Sequence, residues 1–155
     1  SSIYDLTNEK YRDYKKAVAY PMFGTTLTHL FVMSQNWSID EAVQYFVDAQ
    51  DNNTLIVDGN SVVRDLVASG EVDFGITDTD DAFAAVKDGK PVEVLYLDQD
   101  SIGTLVIPNT VGLIKECSNS LNNDDTDLKF LECDFQKAYE NSEELLEDIQ
   151  NALVR

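Results

Sequence analysis

Three times between residues 16 and 87 a short β-prone run ends in a small polar turn and is followed by a segment apolar at helical spacing. The first run, residues 16–20 (KAVAY), is ended by Pro21 and the turn Met22-Phe23-Gly24, where Thr25 is placed to cap a helix. Leu27, Leu30, Phe31 and Ser34 follow at helical spacing, three of the four apolar. Ser38 and Glu41 form a capping box, each satisfying an orphan N–H of a second helix whose apolar face is Val43, Phe46 and Val47. The second run, 54–57 (TLIV), leads through Asp58-Gly59-Asn60-Ser61 into Val62, Val63, Leu66 and Val67, with Gly70 as the stop. The third, 72–76 (VDFGI), leads through Asp78-Thr79-Asp80-Asp81 into a helix ended by Gly89 and Pro91.

Residues 92–97 (VEVLYL) and 103–107 (GTLVI) read as further strands, and 110–115 (TVGLIK) as another extended run. Strands separated by helix-length segments predict an α/β fold: a three-layer lobe with a mostly parallel central sheet flanked by helices. Binding residues in such a sheet lie where carboxyl ends of strands feed helix N-termini.

The tail departs from this pattern. Residues 118–127 (SNSLNNDDTD) carry little apolar surface and read as a polar linker. Residues 128–131 read as one more strand and 135–139 as helical. Leu145, Leu146, Ile149 and Leu153 form an apolar helix stripe, with Asn141 and Glu144 as a further capping box. The expected organisation is therefore a lobe with hinge-return strands (1–117), a linker (118–127) and a terminal strand and helix packing on the lobe (128–155). Cys117 and Cys133 bracket the linker; a disulfide closing that loop and two free thiols are both open.

With 29 Asp and Glu against 11 Lys and Arg, the formal net charge is −18. A phosphate backbone needs clustered Lys and Arg, so nucleic acid is excluded as a partner, and an anionic membrane surface with it. No stretch approaches the roughly 18 apolar residues of a membrane span. The start at Ser1-Ser2 without Met reads as a mature protein or an excised piece.

Three strand-to-helix loops share small hydroxyl, amide or carboxylate side chains beside free backbone N–H groups. They contain Gly24, Thr25, Thr26 and Thr28; Asn60 and Ser61; and Asp78, Thr79, Asp80 and Asp81. The first two suit an anion, because glycine permits close approach, hydroxyls donate and the helix dipole favours negative charge. Ordinary capping explains the same residues. The acidic loop suits a ferric or divalent cation, or a ligand ammonium group; a cap at Asp78 with first-turn acids is its structural reading. His29, the single histidine, is a candidate metal ligand together with Asp78, Asp80 and Asp81, or a structural residue. Tyr20 and Tyr96, at the ends of predicted strands, are placed to reach a ligand or to pack with a hydrogen-bonded rim. No GxSxG, HExxH, P-loop or GxGxxG is present, so the reading is a non-enzyme without a cofactor.

Five segments together carry a family resemblance: 20–29 (YPMFGTTLTH), 57–65 (VDGNSVVRD), 70–81 (GEVDFGITDTDD), 89–99 (GKPVEVLYLDQ) and 102–115 (IGTLVIPNTVGLIK). In order and spacing the chain resembles the extracellular solute-binding proteins of ABC transporters. The similar group is the ferric-iron, thiamine, polyamine and phosphonate type, with the type 2 periplasmic-binding-protein fold. The resemblance implies a second lobe of such a receptor, with Gly24, Thr25, Thr26, Thr28, Asn60, Ser61, Asp78, Thr79, Asp80 and Tyr96 toward the ligand. It implies a small-molecule or metal-ion ligand and an ABC permease as partners. It implies a location in the periplasm or outside the cell, free or membrane-anchored in a full-length protein. The first lobe is not in this sequence, which reads as an isolated or truncated lobe. The adjacent tyrosine pair of several ferric-binding members has no counterpart, since Tyr20 and Tyr96 stand alone. The alternative is an interaction or sensory module derived from such a lobe, self-associating through the surface left by the absent half.

Overall fold

The structure is a computed structural model that describes residues 1–107, 130–131 and 142–153. Two single 3₁₀ turns, Ile3–Leu6 and Glu9–Tyr11, precede the first strand. The elements then run β1 (Lys16–Ala19), α1 (Gly24–Asn36), α2 (Ile39–Asp51), β2 (Thr54–Val57), α3 (Asn60–Ser69), β3 (Phe74–Ile76) and α4 (Thr79–Lys87). A two-residue β4 (Thr104–Leu105), β5 (Phe130–Leu131) and α5 (Ser142–Leu153) follow.

β1 is the centre of a three-stranded sheet in the order β2-β1-β3, parallel throughout, with Val18 opposite Ile56 on one side and Ile76 on the other. Helix-length connections make parallel pairing the available solution, because an antiparallel neighbour is reached by a tight turn. β4 and β5 form a separate parallel pair.

The pleat of β1 divides the core. Val18 faces Leu30 and Met33 of α1, Tyr45 and Phe46 of α2, and Leu145 and Ile149 of α5. Ala17 and Ala19 face the other way, onto Val63 of α3 and Val72. Both faces of the sheet are thus covered, which a parallel sheet requires and which explains the unbroken burial of β1. Leu30 and Phe46 lose essentially all contact with water, worth roughly 2–3 kcal/mol each in burial.

Alanine at positions 17 and 19 lets α3 approach closely, and Gly75 on β3 completes the fit. A Cβ at Gly75 would lie 2.4 Å from Val63 Cγ1 and 2.8 Å from the Ala17 carbonyl oxygen. The predicted stop of α3 and the predicted start of α2 are present too. Gly70 ends α3 in the left-handed conformation, and the Ser38–Glu41 box caps α2 with both reciprocal bonds.

Three expectations change. Residues 92–97 pair with no strand among the described residues, despite their β-prone composition, and β3 is left as an edge. The strand expected at 103–107 shrinks to β4. Thr25 and the 60–61 pair do not act as N-caps. Phe23 and Gly59 hold those positions in extended backbone with no side-chain cap, which moves Thr25, Asn60 and Ser61 into the first helical turns. At α1 the shift comes at Gly24, whose φ of +64° turns the chain so that the helix begins two residues earlier. The extended run at 110–115, the linker, both cysteines, the 135–139 segment and the Asn141 cap lie outside the described residues.

Candidate functional site

β1 and β3 are adjacent, and the connections leaving their carboxyl ends run to opposite sides of the sheet. A crevice opens at such a point. The first turns of α1, α3 and α4 meet there, and their side chains bond to one another. Thr25 Oγ1 donates to Asp78 Oδ2 at 3.0 Å, and Asn60 Nδ2 donates to the same oxygen at 2.7 Å. Asn60 Nδ2 also donates to Thr25 Oγ1, and Thr26 Oγ1 donates to Asn60 Oδ1 at 3.4 Å. The other Asp78 oxygen accepts the Asp81 N–H at 3.3 Å, capping α4. Thr77 Oγ1 ties the loop to the Asn60 carbonyl at 3.1 Å.

The electrostatic consequence follows from the dipoles. Three helix N-termini create a site for negative charge, and the chain fills it with its own Asp78 carboxylate. A free anion arriving here meets a negative group already bonded to the donors it would need.

A cleft of about 280 Å³ extends from this knot along β3. Its lining includes Thr25, Thr26, Asn60, Asp78, Thr79 and Asp80 at one end. His29, Met33 and Trp37 line it from the α1 side, and Tyr96 lies across it. Of the sequence-derived site residues, the structure therefore brings together Thr25, Thr26, Asn60 and Asp78 by direct bonds, and adds Thr79, Asp80, Tyr96 and His29 as cleft walls. It leaves the others aside. Gly24 shapes the turn at the mouth, Thr28 bonds back to the Gly24 carbonyl at 3.3 Å, and Ser61 is exposed off the cleft. Tyr20 also lies off the cleft, with its ring against Phe23.

Among the described residues no three His, Cys, Asp or Glu side chains come together as a metal could use them. Asp81 illustrates why the acidic loop does not converge: its carboxylate turns away to Arg64, at 2.7 Å. Burial, and next the charge of Asp78, hold the Asp81 carboxyl above its usual range; Arg64, shared with Asp65, offsets only part of that. His29 is half-buried, and its ring makes no hydrogen bond among the described residues. Burial lowers its pKa to about 4, against a smaller opposing pull from Asp98, so at neutral pH the imidazole is uncharged.

Two contributors had no legible signal. Arg64 reaches Asp81 only because α3 packs on α4. Asp98, buried with φ +55°, accepts from Ser2 Oγ at 2.6 Å and the Ile3 N–H at 2.9 Å, anchoring the far end of 92–97 to the chain start.

No protein-family model, curated protein or solved structure matches this chain. Among the described residues no helix is long and apolar enough to cross a membrane.

Proposed function

We propose that this chain is a solute-capturing lobe of the type 2 periplasmic-binding-protein kind, serving an ABC importer outside the cytoplasmic membrane and handing its ligand to the permease. The observation that carries the reading is the meeting of three helix N-termini at one carboxylate, beside an aromatic- and apolar-lined cleft. Asp78 neutralises the dipoles, while Asp80 at the mouth and a neutral His29 on the wall leave the cleft without free positive charge. That favours a small organic cation or a neutral solute over an anion, with the Tyr96 ring on the cleft wall for an ammonium group to meet. The proposed role is capture rather than catalysis.

A panel of putrescine, spermidine, thiamine, phosphate, methylphosphonate and ferric citrate, read by thermal unfolding, tests this. A ligand that binds only the folded state raises Tm. An organic cation should raise Tm at millimolar concentration and the anions should not. Asp78→Asn should reverse the order by opening the three N-termini to phosphate. A flat panel for both proteins overturns the reading.

Exposed apolar side chains off the cleft, Phe83 and Val86 of α4, favour a second reading: an interaction or sensory module that self-associates. Sedimentation that shows a monomer at high concentration removes it.

A further inference from the structure

The cleft along β3 divides into a charged rim and an apolar wall. Asp80 and Glu93 line it and are exposed, so their carboxylates lie at its mouth. Neither carboxylate makes a hydrogen bond or ion pair among the described residues. That sets them apart from Asp78 and Asp98, which also line the cleft but are spent on bonds within the chain. The lining holds no lysine, and its one arginine, Arg64, is paired with Asp65 and Asp81, so no free cation answers the rim. Inside, apolar side chains come from both helix layers and from the sheet: Met33 of α1, Val63 of α3, Ala85 of α4 and Ile76 of β3, with Val94 and Leu105. Met33, Val63 and Ala85 are buried.

We propose that this cleft takes a monoamine with an apolar body, its ammonium group paired with the rim carboxylates and its body along the inner wall. The inference rests on the capture reading and names the class of solute. Four kinds of solute separate on such a surface. An anion is repelled by Asp80 and Glu93, and it finds the Thr25 and Asn60 donors already taken by Asp78. A neutral apolar solute gains the wall but leaves both carboxylates without a counter-charge. A short diamine gains the rim but drives its second ammonium group against apolar side chains, a burial that nothing there repays. A monoamine with an apolar body satisfies both parts: its charge is paired at the wet end, and its carbon chain leaves water at the other. The volume sets the length. About 280 Å³ is space for about nine water-sized volumes, which suits a body of roughly six to nine carbons.

The test is a calorimetric titration of the full chain with butylamine, pentylamine, hexylamine and heptylamine, beside 1-heptanol, heptanoate and putrescine. Each added methylene should tighten amine binding about fourfold, the factor that burying one CH₂ supplies. 1-Heptanol should bind severalfold more weakly than heptylamine, and heptanoate and putrescine at least tenfold more weakly. Asp80→Asn combined with Glu93→Gln, both at exposed positions, should weaken heptylamine severalfold and leave 1-heptanol unchanged. Equal affinity of the four amines, or an unchanged heptylamine affinity in the double variant, overturns the proposal. Amines that fail to bind while a member of the thermal-unfolding panel does would overturn the solute class and leave capture standing. No binding in either set overturns both.

Discussion

The Asn60 side-chain amide donates to Asp78 Oδ2 at 2.7 Å, joining the first turn of α3 to the cap of α4. Thr25 joins the same oxygen from α1 at 3.0 Å, so one carboxylate locks three elements that are distant in sequence.

Removing that carboxylate should therefore cost more than an ordinary helix cap. Asp78→Ala deletes the α4 cap and leaves Thr25 and Asn60 without their shared acceptor. We expect a loss of about 2–3 kcal/mol in urea unfolding, against about 1 kcal/mol for a cap alone. Asp78→Asn, which keeps an acceptor oxygen but not the charge, should fall between. Equal stability of Asp78→Ala and the parent would show that the knot adds nothing.

Gly75→Ala tests the close approach of α3 to the sheet. The added methyl meets both a side chain and the backbone of the central strand, and the backbone cannot move without breaking the ladder. A cost of roughly 1–3 kcal/mol is expected. Adding Val63→Ala should relieve only the side-chain part, so the double variant should not regain what a simple volume exchange would return. Full recovery would contradict the Ala17 contact.

Acid should destabilise the fold through His29. Its folded pKa, about 4, lies below the unfolded value near 6.5, so between those limits the unfolded chain binds a proton that the folded chain does not. The stabilisation is present above pH 6.5 and is lost as pH falls toward 4. With the ring half-buried, about 1–3 kcal/mol is at stake. His29→Gln should flatten the stability profile across that window, and an unchanged slope would place the pH dependence elsewhere.

The capping box gives a local control. Ser38 Oγ accepts the Glu41 N–H at 3.1 Å, and Glu41 Oε2 accepts the Ser38 N–H at 2.9 Å, both exposed. Ser38→Ala should cost about 1 kcal/mol by thermal unfolding. It should leave the ligand panel untouched, because α2 packs away from the cleft.

Local chemistry in the sequence determined much of the frame. The Ser38–Glu41 box, Gly70, the run 54–57 and the apolar spacing around Phe46 and Val63 act within a few residues of themselves, so their spacing in the chain is their spacing in space. The convergence of Thr25, Asn60 and Asp78 was legible as three like loops at strand ends, because a parallel sheet puts those ends on one side. Their mutual bonding was not legible, nor was the Arg64–Asp81 pair, since these depend on which strands are neighbours. Residues 92–97 show the limit most clearly. Composition makes them β-prone, but a strand exists only where a partner edge is in register, and among the described residues the tertiary structure leaves that edge of β3 unpaired.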